Sequence, residues 1–408
     1  MKAKFYKYAL WIFLTWIVQS CSLYNAIIHF NKQEIAFDKQ KHKFEFLNNQ
    51  VMIKTGFPDN KFYNFILDLG AMRSVIFLDS NFTNLIQTKK PVYSHSKNLS
   101  ADGYKSRAAF YEFGDLSTDW FTIKNSFIST SIHPYKNYCN RLCGIWGSDI
   151  FASTINGKGN FILKIGMEDS TLAIIDSLPP ITDWIRVGKT QNKIHPMFII
   201  KMNIGSETFE FIFDTGFTGS ILLSPNEYKR LRKSSNYSSK EEVIYGFITN
   251  TLSGIKPDTA RRIKSNIFIR DGISADSILI YSLNSTIFNL IGMDFIKRFN
   301  VMVDYQNYQL YFQPNPNYRN NEENFFLKKG MRPNNSITDG FRIMNIYVNS
   351  IAEKAGLKIG DEIISINNIR IDEGDPCEIE RIYNDLDGNI VDNEIIVKRG
   401  EEILKFIL

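Results

Sequence analysis

The chain has 408 residues, 44% of them hydrophobic, enough for two or three domains each with a core of its own. Its net charge is +5, but Lys2, Lys4 and Lys7 lie in an export segment. About +2 remains without them, so the composition makes no electrostatic case for a nucleic-acid partner.

Residues 1–20 read as an export signal, a lysine-rich start followed by the apolar run Tyr8–Val18. The run closes in Val18-Gln19-Ser20-Cys21, which resembles the bacterial lipobox; Gln19 departs from the small residue preferred at that place. The resemblance implies that Cys21 carries the lipid, with several acyl chains giving stable membrane anchoring, and that residues 21–43 are a tether. The other reading is an uncleaved transmembrane anchor, since no charge occurs from Tyr8 to Ile28. Both place the body outside the cytoplasm, at a membrane of the cell envelope.

From Phe44 to Pro316 short apolar segments alternate with Gly, Asn, Asp, Ser and Pro, which predicts β-rich lobes built from hairpins. Strand alternation is visible in Val51–Lys54, Phe121–Lys124 and Phe198–Ile204, while Ser80–Thr88 and Pro225–Lys233 read as helices. Leu178-Pro179-Pro180 closes a first lobe over 44–180, and a second covers 181–318. Cys139 and Cys143, four apart, are read either as a local disulfide or as separate thiols lining a small core; Cys377 reads as a small buried residue. No Cys/His spacing suits a metal site, and no cofactor is implied.

The two lobes repeat each other. Phe65-Ile-Leu-Asp68-Leu-Gly70 recurs 146 residues later as Phe211-Ile-Phe-Asp214-Thr-Gly216, each with a serine six positions past the aspartate, Ser74 and Ser220. An apolar-glycine block follows at Gly147 and at Gly292, 79 and 78 residues past its aspartate. Each block leads into two further apolar stretches, Asn160–Ile165 then Ser170–Ile175, and Asn300–Tyr305 then Tyr308–Phe312. A period this long belongs to a duplicated lobe.

After a polar break at 315–324 the text changes. Asp339–Val348 predicts a strand, and a one-turn helix follows, stopped by Gly356 in the left-handed conformation. Leu357 turns inward, Gly360-Asp361 makes a turn, and the next strand ends in an Asn367-Asn368 hairpin turn. A longer helix is expected over Pro376–Leu386, with closing strands at Glu394–Lys398 and Glu402–Ile407. This spacing closely resembles the PDZ domain, here over 324–408. The resemblance implies binding of an extended, C-terminal peptide as an added strand beside Phe341–Ile346, Arg342 and Ile343 included. The peptide's carboxylate would sit in the backbone nest near Gly340.

The duplicated aspartate motif resembles the pepsin-like and retropepsin-like aspartic proteases over about 270 residues. The resemblance implies a mainly β, two-lobed fold in which Asp68 and Asp214 meet on an internal two-fold axis and share one proton. A water between them would attack the peptide carbonyl of a peptide or protein substrate. Gly70 and Gly216 would allow the tight loops, with Ser74, Thr215 and Ser220 supporting them. Hairpin flaps are expected near Gly103-Tyr104 and Tyr245-Gly246, 31 to 36 residues past each aspartate. One departure stands out: Leu69 occupies the place of the family's Thr or Ser, whose hydroxyl bonds the other lobe's backbone. Arg73, close in sequence, would favour ionisation of both carboxyls if it faced them. The alternative is a non-catalytic envelope scaffold that binds peptides or proteins.

Overall fold

The computed structural model describes residues 28–29, 32–78, 90–99, 105–131, 142–151, 161–180, 182–190, 196–234, 240–251, 254–269, 273–319, 325–336, 340–371 and 393–408. The chain is mainly β, as its alternating short segments predict. Among the described residues no helix is long and apolar enough to cross a membrane.

The first lobe holds β1 (Glu34–Phe37), β2 (His42–Lys43), β3 (Glu45–Leu47), β4 (Gln50–Gly56), β5 (Phe62–Leu67), β6 (Val75–Phe77), β7 (Tyr93–Leu99), β8 (Lys105–Ser117), β9 (Phe121–Ser131) and β10 (Leu142–Trp146). Alternation does what it should: in β9, Phe121 and Ile123 go inward while Thr122 and Lys124 face solvent. Strands β4, β5, β10, β6, β9 and β8 pair in that order, and β8 returns to β4 through Gly56 and Ser117, closing a six-stranded ring.

Next come β11 (Ile162–Gly166), β12 (Thr171–Ile175) and β13 (Ile185–Lys189), and then the second lobe. It holds β14 (Ile199–Ile204), β15 (Glu207–Phe213), β16 (Ile221–Leu223), α1 (Pro225–Lys233), β17 (Glu242–Thr251), β18 (Gly254–Phe268), β19 (Ser274–Leu283), β20 (Leu290–Ile291) and α2 (Met293–Ile296). Its ring runs β14, β15, β20, β16, β19, β18 and back to β14, the topology of the first lobe strand for strand. In both rings the strand that ends at the aspartate lies parallel to the strand before the Gly block. Helix α1 has the predicted bounds, whereas 80–88 lies outside the described residues.

Strands β21 (Phe299–Asp304) and β22 (Gln309–Pro314) complete the second copy. They join its counterpart in one antiparallel sheet, ordered β2, β12, β11, β21, β22, β13. The repeated stretches after each Gly block thus become the seam between the lobes. One continuous apolar core runs from Phe44 to Phe312 across that seam. Cys143 is buried in it, and Cys139 lies outside the described residues, as do Cys21 and Cys377.

The C-terminal unit has a separate core built on Phe325, Phe326, Phe341, Ile343, Ile395 and Val397. It comprises α3 (Phe325–Lys329), β23 (Met331–Ser336), β24 (Gly340–Tyr347), α4 (Ile351–Ala355), β25 (Glu362–Ile366), β26 (Ile369–Arg370), β27 (Glu394–Arg399) and β28 (Glu402–Ile407). Ser350 caps α4 by accepting from Glu353 N at 3.1 Å, and Gly356 ends it at φ +94°. Asn367 and Asn368, both at positive φ, turn β25 into β26. The helix expected over 376–386 lies outside the described residues.

Candidate active site

Each aspartate leaves its strand in the same way. Asp68 N donates to Trp146 O at 2.9 Å, and Asp214 N donates to Ile291 O at 3.0 Å, so each is held at the end of its parallel strand pair. The carboxyls then accept from the loop that follows: Asp68 from Ala71 N at 2.8 Å, Asp214 from Gly216 N and Phe217 N at 2.9 and 3.0 Å. The two loops meet face to face. A Cβ built on Gly70 would lie 2.5 Å from Asp214 Cγ, and one on Gly216 would lie 2.4 Å from Asp68 Cγ. Only glycine permits that approach.

The carboxyl groups of Asp68 and Asp214 thus lie close enough for each to act on the ionisation of the other. Desolvation by burial raises both above the ordinary carboxylate value, and the charge of Asp214 raises Asp68 further. With both values raised, the pair keeps a proton to a higher pH than an isolated carboxyl would, and it titrates as a coupled unit.

The consequence of Leu69 is visible in the threonine opposite. Thr215 Oγ1 accepts from Leu69 N at 2.8 Å and donates to Leu67 O at 2.7 Å, so the second lobe grips the backbone of the first. Leu69 cannot return the grip; it is buried in the shared core instead. The equivalent restraint on Thr215 N and Phe213 O is therefore missing from the first lobe.

The loop supports differ between the copies. In the first lobe Ser74 donates from N and Oγ to Asp149 Oδ1, at 2.8 and 2.7 Å, while Gly147 N donates to Ser74 Oγ at 3.0 Å. Asp149 is raised by burial, against which the Ser74 bonds and the charge of Arg73 act. In the second lobe Ser220 Oγ is buried without a hydrogen-bond partner among the described residues, and Gly292 N donates to Ser220 O instead. Arg73 lies over the Phe110 ring, 5.5 Å from its centroid, and its charge acts on Asp149. The cation envisaged beside the pair thus acts on Asp149, in the support of the first-lobe loop.

Of the two tyrosines expected on a flap, Tyr245 is the one among the described residues, and it is not at a hairpin tip. Tyr104 lies outside the described residues. Tyr245 is half-exposed in the body of β17, opposite Thr259, whereas the β17–β18 pairing runs on to Thr251 and Gly254. Gly246, at φ +132°, is needed not for a turn but for contact: a Cβ there would lie 1.9 Å from Met344 O. At that point β17 pairs with β24, Ile244, Tyr245 and Gly246 facing Tyr347, Ile346 and Asn345. Buried Arg262 donates to Tyr347 Oη at 3.4 Å and lies over its ring, so the C-terminal unit is joined to the second-lobe hairpin.

The expected peptide groove beside Phe341–Ile346 requires correction. One edge of β24 is taken by β23. The other is taken by Asp361 O, which accepts from Ile343 N, by Gly360 N, which donates to Ile343 O, and then by β17. Phe341 and Ile343 are buried, and Arg342 donates to Glu362 Oε2 at 3.2 Å. A Cβ on Gly340 would lie 2.6 Å from Glu362 Oε1, so a carboxylate already occupies the surroundings expected to receive an anion. Among the described residues β23 pairs with β24 alone, so its outer edge carries no strand. Hydrophobic alternation identifies a strand but does not say which edge is free.

Three residues of the site carried no signal in the sequence. Asn49 Nδ2 donates to Thr218 O at 3.2 Å, Gln50 Nε2 to Gly216 O at 3.3 Å, and Lys297 Nζ to Asn49 Oδ1 at 3.2 Å. The Asn48-Asn49 pair marks a turn, and both residues are at positive φ, but nothing local foretells that the turn reaches the other lobe's active loop.

Comparison with protein families finds the PDZ domain at residues 342–382. No curated protein matches the chain. The C-terminal unit is thus a PDZ domain, a class of module that binds peptides or partner proteins.

Proposed function

We propose that the chain is an aspartic endopeptidase of the pepsin- and retropepsin-like kind. The observation that carries this reading is the pairing of Asp68 and Asp214 by two equivalent loops of a duplicated β fold, each carboxyl walled by the glycine of the other's loop. In the proposed reaction one carboxylate takes a proton from a bridging water as that water attacks the scissile carbonyl. The other carboxyl protonates the forming oxyanion, and the proton then passes to the leaving amine. The roles belong to the pair and not to either residue alone.

The PDZ domain would bring a peptide or protein partner to the same chain, and among the described residues β23 offers it an edge without a strand. The Val18–Cys21 motif supports a lipid anchor at Cys21 and a place in the bacterial cell envelope, on the periplasmic or surface side. Leu69 favours a second reading, a duplicated scaffold that has lost catalysis and only binds peptides.

A peptide with a tetrahedral hydroxyl in place of its scissile carbonyl tests the first reading. It should bind wild type far more tightly than the parent peptide, because its hydroxyl sits where the attacking water would. That advantage should vanish in Asp214→Asn. Equal binding of both peptides to wild type would leave only the scaffold reading.

A further inference from the structure

We propose that Asn49 and Gln50 form a second latch across the lobes, one that takes over the restraint the first lobe lost at Leu69. The inference rests on the catalytic reading above for its kinetic consequence, but not for its geometry.

By the symmetry of the fold, a hydroxyl at position 69 would restrain the second lobe's active loop, as Thr215 restrains the first lobe's through Leu69 N and Leu67 O. The restraint that is missing therefore runs from lobe one to the loop carrying Asp214. Asn49 and Gln50 run in that direction. They come from the β3–β4 turn of the first lobe and donate to the carbonyls of Thr218 and Gly216, within four residues of Asp214.

The latch is oriented. Lys297 Nζ donates to Asn49 Oδ1 and is itself paired with Asp294 at 2.8 Å. With its oxygen engaged, the Asn49 amide presents its nitrogen to Thr218 O. The carbonyls between and beyond are held from within the second lobe: Phe217 O accepts from Met293 N at 2.8 Å, Gly219 O from Asp294 N at 3.1 Å and Ser220 O from Gly292 N at 2.8 Å. All five carbonyls from Gly216 to Ser220 thus have a donor, and the two supplied across the seam come from Asn49 and Gln50. These are positioning residues: they touch the loop and not the carboxyls.

The test is a cycle of variants in the full chain, Asn49→Ala with Gln50→Ala, each combined with Leu69→Thr and with Leu69→Val. Valine matches the shape of threonine without its hydroxyl. Two readouts are used, peptide cleavage across pH and titration of the Asp68 and Asp214 carboxyls by carbon NMR. The Ala pair should lower kcat by about tenfold or more with KM little changed, and move the Asp68 titration toward the ordinary carboxylate range as the carboxyls separate. Leu69→Thr should restore both, and Leu69→Val neither. An unchanged titration in the Ala pair, or equal recovery by Thr and Val, would overturn the latch. If wild type does not cleave while the titration shifts and recovers as stated, the catalytic reading fails and the latch stands. If the Ala pair does not fold, the two single variants give the same comparison.

Discussion

Gly70 and Asp214 belong to different lobes, yet a single methyl group on Gly70 would lie 2.5 Å from Asp214 Cγ. Gly216 stands in the same relation to Asp68. Each loop is the wall of the other's carboxyl, so backbone of one lobe sets the position of the acid in the other.

Gly70→Ala and Gly216→Ala should therefore each abolish cleavage, by at least about a thousandfold, through displacement of the opposite carboxyl. Overpacking of this kind costs about 1–3 kcal/mol, so the variants should remain folded but less stable. Cleavage assays paired with thermal unfolding check this; near-wild-type cleavage would contradict the close approach.

Thr215→Val keeps the side-chain shape and removes both bonds to the first lobe. Leu69 N and Leu67 O, both in buried backbone, would then be left without the hydroxyl. Each unsatisfied buried group costs about 1–3 kcal/mol. Unfolding in denaturant should show a loss of that order, with a larger fall in cleavage than Leu69→Val produces.

The pH dependence has a definite sign. The pKa of Asp68 is raised by desolvation and by the charge of Asp214, so its ionisation opposes the folded state. The stability it contributes is fully present below the ordinary carboxylate value of 3.8 and is lost as pH rises through the raised value. Asp68→Asn removes that loss. Unfolding measured from pH 3 upward should show the variant gaining on wild type across that window. Cleavage by wild type should decline as the shared proton leaves over the same range.

Gly246→Ala should loosen the PDZ domain from the second-lobe hairpin. The substitution puts a methyl group against Met344 O in a left-handed conformation that L residues adopt at a cost on the order of 1–3 kcal/mol. Amide exchange should rise in 243–248 and 345–348, where Val348 N donates to Val243 O, and stay unchanged in the β11–β21 seam.

Much of this arrangement is legible in the sequence because its causes are local or repeated. The duplicated aspartate and glycine blocks mark the two rings, and the alternation in β9 sorts its faces. Gly356 and Asn367-Asn368 are punctuation that needs no tertiary context. What is not legible depends on which surfaces meet. Tyr245-Gly246 has the composition of a hairpin tip, but Gly246 is required by the approach of Met344 O, a hundred residues along the chain. Asn49 and Gln50 act on carbonyls 169 and 166 residues away, where carbonyls display no residue type to read. β24 has no free edge because β23 lies on one side and β17 with the Gly360-Asp361 turn on the other, a fact of assembly and not of pattern.

The central claim is that Asp68 and Asp214 work as one catalytic unit. Its most direct measurement is cleavage of an unstructured peptide by wild type, Asp68→Asn and Asp214→Asn, each confirmed folded by its unfolding transition. The account predicts hydrolysis by wild type and its loss, by about a thousandfold or more, in both variants alike. Cleavage that survives either substitution, or none by folded wild type across the acidic and neutral range, would contradict it.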